Sequence, residues 1–567
     1  MQRLRELIEV ARGEREPDVV LTGKILSVFT GEVIEGDVAI YGNRIAGIGE
    51  YGGKRVETDG VILPGFMDAH MHLESTLLSP SEFAKAVLPH GTTSVFIDPH
   101  EIANVSGTKG IEYIYNSTRN LPVNFFLTVP SCVPAIKGFE TYGAELKSEE
   151  ISEILQWEGV VGLAEMMNFP GVIYGDENVL KKIEVASHKV IDGHSPGLMG
   201  NQLNAYISAG IISDHECITA EEAVEKVRRG MKIMIREGSV AKNLSELIKI
   251  VNESNLENFM LASDDFLPID IEKGHMDYRL KLCVENGIKP ELAVKMTTIN
   301  TARYFRLYNF GAIAPGYIAD IVIVDNLNSF NVKMVIKDGK VVWDGKLRVD
   351  FVSSNPPQEI LNSVKVPEIE ENDLKIEAES RKVRVIELIP GQILTKKVEV
   401  ELIPENGFFV PDGERDIAKI VVVDRHGKGK KIGKGFVKGF GLKKGAMASS
   451  VSHDSHNCVC VGMEDRDILA AIKRIEEMQG GFVVADGGVV AELPLPIAGL
   501  MSDLPWEEVK ERLEKLHEVL KELGVEIEHP FTALSFLSLP VIPELKITDF
   551  GLIDVNIMSF VDLWVAE

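Results

Sequence analysis

Between residues 61 and 265 the chain alternates short apolar, β-branched runs with stretches of helical periodicity. The runs are VILPGFMDAHMH (61–72), TTSVFIDPH (92–100), VNFFLTVPSCV (123–133), VVGLAEMMN (160–168), KVIDGH (189–194), GIISDHE (210–216), KIMIREGS (232–239) and NFMLASDD (258–265). Runs this short, with helices between them, predict parallel strands joined by crossover helices. Eight such repeats in about 250 residues match a (β/α)8 barrel. An open doubly wound sheet is the runner-up, but no glycine-rich phosphate-binding turn follows the first run.

The flanks have another texture. Residues 19–49 alternate apolar and polar positions between Gly and Asn turns, and 312–345 repeat the pattern, which predicts strands and hairpins. Two β segments on either side of one block predict a small composite β domain with the barrel inserted in it. A charged helix precedes the first segment, so no secretory signal is expected there. SSNPPQEI and an acidic stretch near 350–375 predict a linker. Beyond it, strand-like runs and two amphipathic helical stretches predict an α+β unit. The expected division is 1–60 (helix and part of the small β domain), 61–310 (barrel), 311–350 (rest of the β domain), 351–375 (linker) and 376–567 (C-terminal α+β domain).

Composition narrows the partners. Apolar residues make up 45% and charged residues 26%, as in a globular protein. Lys and Arg total 60 against 86 Asp and Glu, a formal net charge of −26. Such a surface repels nucleic acids and anionic membranes, and no uncharged apolar run is long enough to span a bilayer. A small neutral or cationic ligand remains compatible. Five scattered cysteines without a CxxC pair fit buried thiols in a reducing cytoplasm. The basic run 428–431 reads as a solvated turn.

The candidate chemistry lies at the ends of the barrel runs, which converge on one mouth in this fold. There stand His70 and His72, Asp98 with His100 and Glu101, Glu165, Asp192 and His194, Asp214 with His215 and Glu216, Glu237, and Asp264 with Asp265. Imidazoles and carboxylates gathered this way predict divalent-metal binding. His70, His72, Glu165, His194, His215 and Asp264 exceed what one ion needs, which suggests two ions bridged by Glu165. A water between them would have its pKa lowered, with Asp264 as proton shuttle. Such ligands suit zinc, iron and manganese alike. Strand alternation argues against Glu216 joining His215, and against Asp265 joining Asp264.

PGFMDAHMHLEST after a small β segment, and GAIAPGYIADIVIVD on the far side, resemble the amidohydrolase superfamily. DPHEIANVSG (98–107), GLAEMMNFPGVI (162–173), DGHSPGLMGNQLNAYISAGIISDHE (192–216), ASDDFLP (262–268) and SSVSHDSHNCVCVG (449–462) are similar to the bacterial and archaeal adenine deaminase family, over nearly the whole chain. The resemblance implies two metal ions, manganese or iron before zinc, on the six residues above. It also implies conversion of adenine to hypoxanthine and ammonia by a metal-bridged hydroxide attacking carbon 6. Many superfamily members carry a carboxylated lysine where this chain has Glu165.

A second acid must then protonate ring nitrogen 1, and Glu74 is the candidate. His100 and Glu101 either contact the base, orient a ligand histidine or cap the next helix. His453 and His456 belong either to a loop closing the mouth over the substrate or to a surface loop. Met166 and Met167 read as wall or core, and 296–305 as packing for the last barrel helix. The expected partner is adenine alone, in a homo-oligomer, taken as a dimer. The alternatives are another amidohydrolase acting on a cyclic amide, amidine or N-acyl substrate, and a non-catalytic scaffold.

Overall fold

The computed structural model describes residues 1–565. Its centre is the barrel, with strands β1 (Phe66–Met71), β2 (Thr92–Ile97), β3 (Asn124–Val129), β4 (Val160–Met166), β5 (Val190–Gly193), β6 (Ser213–Asp214), β7 (Lys232–Arg236) and β8 (Phe259–Ala262). β1 to β5 pair in parallel and in order, as do β6 to β8. Two junctions close the ring. Beside β5 and β6 the Ile212 N–H donates to Ile191 O at 3.2 Å, and between β8 and β1 the Asp264 N–H donates to His70 O at 3.0 Å. A Cβ on Gly193 would lie 2.2 Å from Ser213 O, so the approach of β6 to β5 needs glycine there.

Every position of β1, β2, β5 and β8 is buried, which strands covered on both faces require. Met67, Phe96, Met234 and Met260 form one apolar cluster with Ala302, Tyr304 and Phe305, so the segment after β8 packs against the barrel strands themselves. The same segment also packs against the helix Pro290–Met296, as the sequence predicts.

The strand Arg55–Pro64 runs straight into β1. It belongs to a seven-stranded sheet ordered Lys340–Trp343, Val332–Lys337, Ile321–Val324, Arg55–Pro64, Val19–Leu26, Val33–Tyr41, Arg44–Gly49. Val61 pairs with Val324 and Pro64 with Ile321, so the composite β domain is stitched from both sides of the barrel. The N-terminal helix Gln2–Ala11 packs Val10 against Ala39 and Ala46 of this sheet.

The C-terminal unit holds an eight-stranded sheet backed by the helices Asp465–Glu477 and Trp506–Glu522. The amphipathic patterns predicted both helices, and their apolar stripes are buried. This unit grips the barrel through the segment after β3. Asn457 Nδ2 donates to Thr141 O at 2.7 Å, and the Thr141 N–H donates to Asp549 Oδ1 at 3.0 Å. Lys431 Nζ donates to Thr141 Oγ1 at 3.1 Å and Lys428 Nζ to Tyr142 O, so the basic run, exposed over 427–430 as a solvated turn would be, also forms part of this clasp. Residues 351–375 are tied down too, with Ile360, Val364, Ile369 and Leu374 buried.

Two buried lysines make testable claims. Lys226 Nζ is enclosed by Ser195 O (2.6 Å), Glu222 Oε1 (2.7 Å) and Asp214 Oδ2 (3.1 Å) at the end of β6. Lys226→Met leaves two carboxylates without their cation and should cost about 3–5 kcal/mol in denaturant unfolding. Lys546 Nζ donates to Ile393 O (2.9 Å) and Phe536 O (3.0 Å), and burial pushes it down to about 7. The unfolded chain takes up that proton near pH about 10.4, the folded chain only near 7. Stability therefore falls as pH drops through this window and levels off below it. In Lys546→Met this dependence is absent, so its stability relative to the parent should rise by about 2–4 kcal/mol between about pH 10 and pH 7.

Candidate metal centre

Glu165, at the C-terminal end of β4, is the hub. His194 Nδ1 lies 2.5 Å and His215 Nε2 3.2 Å from its Oε2. On the other side His72 Nε2 lies 3.4 Å and His70 Nε2 4.0 Å from its Oε1. Asp264 Oδ1 faces the same two imidazoles, 3.2 Å from His72 Nε2 and 3.7 Å from His70 Nε2. His70 and His72 are edge to face at 4.9 Å between ring centres, and His70 stacks on His215 at 4.2 Å. The fold thus brings together all six residues named from the strand ends.

Backbone geometry sets these directions. Asp264 lies just past β8 with φ +57, a left-handed conformation costly for a non-glycine residue, held by its N–H bond to His70 O. His72 Nδ1 sits 3.1 Å from Asp98 O, so that nitrogen carries the proton and the Nε2 lone pair faces the hub.

Arg236, at the end of β7, pins the other side of Asp264. Its Nη1 donates to Asp264 Oδ2 at 2.8 Å, and its fork binds Glu216, with Nη2 to Oε2 at 3.1 Å. Burial alone would raise the Asp264 carboxyl, but the guanidinium and the neighbouring imidazoles hold it well below the usual range. Sequence reasoning missed Arg236 and took Glu237 for this strand end. Glu237 turns aside, accepting the Leu244 N–H at 3.2 Å. Glu216 faces the same side as His215, with Oε1 3.4 Å from His215 Nε2, where strand alternation predicts opposite faces, and its carboxylate is taken up by Arg236. β6 stops at Asp214, so strand alternation does not extend to these residues.

Around the hub, Asp98 Oδ2 lies 3.3 Å from His100 Nδ1. Burial opposes the charged ring, yet this carboxylate lifts His100 to about 10. His100 also stands 3.7 Å from Glu165 Oε1, at the start of the helix His100–Thr118. Glu74 is fully buried. Its Oε1 accepts the Ile102 N–H at 3.0 Å and its Oε2 has no partner. Burial, then Glu101, pushes Glu74 up to about 7. Asp265 bonds Ser75 at 2.5 Å, and Asp192 accepts from Tyr304 at 2.6 Å.

The polar cluster of the last domain is buried against this mouth. Asp454 Oδ1 is 3.9 Å from His100 Nε2, and His453 Nδ1 is 3.7 Å from Glu101 Oε1. His453 stacks on Phe536 at 4.6 Å.

The residues fit divalent ions by their own chemistry. His70 Nε2 is buried and has no hydrogen-bond partner, although buried nitrogens are nearly always paired. Four imidazoles and two carboxylates within a few ångströms form an N/O donor set for hard or borderline divalent metals. Among the described residues no helix is long and apolar enough to cross a membrane, and all five cysteines are buried and free.

Comparison with known proteins gives the same picture. Residues 61–342 match the amidohydrolase family, and 392–559 match the adenine deaminase C-terminal domain. The chain is 48% identical to adenine deaminase 2 of Carboxydothermus hydrogenoformans, covering 99% of each chain. It is 46% identical to the adenine deaminase of Dehalococcoides mccartyi over 98% of this chain and 99% of that one. It is 48% identical to that of Methanothrix thermoacetophila, over 99% and 100%. With a hub of this composition at the barrel mouth and relatives this similar from end to end, the chain belongs to the adenine deaminase family of amidohydrolases.

Proposed function

We propose that this protein hydrolyses adenine to hypoxanthine and ammonia with two divalent metal ions held by His70, His72, Glu165, His194, His215 and Asp264. The observation that carries the reading is the placement of Glu165 between two pairs of imidazoles, in a chain that aligns end to end with adenine deaminases. Manganese or iron suits these donors, with zinc the third candidate. When bound, the ions supply a water acidic enough to ionise near neutral pH.

The chain's own groups do the rest. Asp264 Oδ1 faces the centre while Arg236 occupies Oδ2, so one carboxylate oxygen is left to take a proton and carry it to the leaving amine. Glu74 offers an unpartnered buried oxygen suited to donating a proton to ring nitrogen 1. His100, charged through Asp98, steadies Glu165 from behind. Glu101, His453 and His456 enclose the ring from the side of the C-terminal domain. We further read the protein as a cytoplasmic homo-oligomer, a dimer, without nucleic-acid or membrane partners, in line with its charge and reduced cysteines.

The test is ammonia release from adenine. Chelator-stripped protein should lose activity by at least about 100-fold and regain it with manganese or ferrous iron. Protein with two ions bound that releases no ammonia from adenine would overturn the substrate, and cyclic amides and amidines would be assayed next.

A further inference from the structure

Between the barrel and the C-terminal loop, a donor and an acceptor face each other with no partner. Glu101 Oε1 lies 2.9 Å from Ser75 Oγ, whose single proton is shared with Asp265 at 2.5 Å, and Glu101 Oε2 is buried and unpaired. His456 Nδ1 accepts the Ser452 N–H at 3.1 Å, so the proton of the neutral ring sits on Nε2. Burial, with His453 and Arg425 nearby, keeps that ring neutral. The His456 Nε2–H also lacks a partner, and it lies 4.0 Å from Glu101 Oε2. That gap is too wide for a hydrogen bond, and neither residue has any exposed surface. The fixed proton on His456 also speaks against a further metal ion here, because the nitrogen that would bind it is already protonated.

A fixed acceptor beside a fixed donor matches a ligand edge that carries an N–H next to a ring nitrogen. The edge of adenine remote from carbon 6 has this order, with the nitrogen 9 hydrogen beside nitrogen 3. Glu101 follows His100, which lies 3.7 Å from Glu165, so the pair sits to one side of the metal centre. We propose that Glu101 Oε2 accepts the nitrogen 9 hydrogen, that the His456 Nε2–H donates to nitrogen 3, and that this clamp selects the free base over 9-substituted purines. A nucleoside would set a carbon against a buried carboxylate, and a site left with an unpaired polar group discriminates strongly. The inference rests on adenine as substrate. It also assigns the C-terminal domain a task, since one half of the clamp comes from each domain.

The experiment uses the full-length, metal-loaded protein. Hypoxanthine, 9-methylhypoxanthine and 3-deazahypoxanthine are compared as competitive inhibitors of adenine deamination, so that ring reactivity does not enter. In the parent, 9-methylation should weaken inhibition by about 100-fold and loss of nitrogen 3 by about 10-fold. Glu101→Gln should shrink the methyl penalty to less than about 10-fold, and His456→Ala should abolish the 3-deaza penalty alone. Bound metal is counted for each variant. Equal inhibition by hypoxanthine and 9-methylhypoxanthine in the parent overturns the clamp, as does an unchanged methyl penalty in metal-replete Glu101→Gln. The parent comparison stands even if a variant does not fold. Absence of ammonia release from adenine in the parent overturns the substrate reading instead.

Discussion

Asp264→Asn should lower kcat for ammonia release by about 10³-fold or more while KM moves only a few-fold. The amide keeps the shape of the carboxylate and can still meet Arg236, but it has no basic oxygen to take a proton. Acid–base groups contribute about 10²–10⁴, and Asp264 is also proposed to touch a metal ion. An equal fall in kcat and kcat/KM would mark an interaction made in the transition state. Retention of most activity by Asp264→Asn with both ions bound would remove it from the proton path. The left-handed backbone at Asp264 adds a structural argument, because strain at a non-glycine residue is tolerated where the surrounding structure holds it in place. Here that hold is the bond from Asp264 N–H to His70 O, which couples β8 to the histidine strand.

Glu165→Gln should have the larger effect on metal content. The carboxylate faces two imidazoles on each side, and an amide offers one weak oxygen donor in place of two charged ones. Bound metal should fall from about two ions per chain to less than one after dialysis, measured by elemental analysis. Thermal unfolding gives a second readout. Saturating metal should stabilise the parent by about 2.7 kcal/mol per bound ion at a hundred times Kd, and Glu165→Gln by almost nothing. A variant that still holds two ions would show that Glu165 does not bridge them.

Much of this centre could be read from the chain because barrel strands bring their C-terminal ends together. His70, His72, Glu165, His194, His215 and Asp264 each close an apolar run, so locating the runs located the residues proposed as ligands. Arg236 was lost to a phase error: the strand ends with it, and the more familiar acid, Glu237, stands next to it. The facing of Glu216 was misjudged because alternation was carried past the end of a two-residue strand. The approach of His456 to Glu101 leaves no trace in any period, since it joins residues far apart in sequence through domain packing. The dense cluster 452–457 announced only that something polar was there. Whether it faced water or the barrel depended on the clasp at Thr141, which local pattern does not encode.

The seam in the composite sheet has a consequence for synthesis. The strand Arg55–Pro64 emerges from the ribosome before any of the barrel, yet one of its two neighbours, Ile321–Val324, emerges after all of it. At about 5–20 residues per second, one edge of that strand stays bare for on the order of tens of seconds. Val61, Ile62 and Leu63 on that edge are apolar and fully extended, the composition that recruits stray strands. The nascent chain is therefore most vulnerable to aggregation while its catalytic barrel is being completed. A chaperone acting on this protein has most to gain by shielding residues 55–64 until residue 324 has left the exit tunnel.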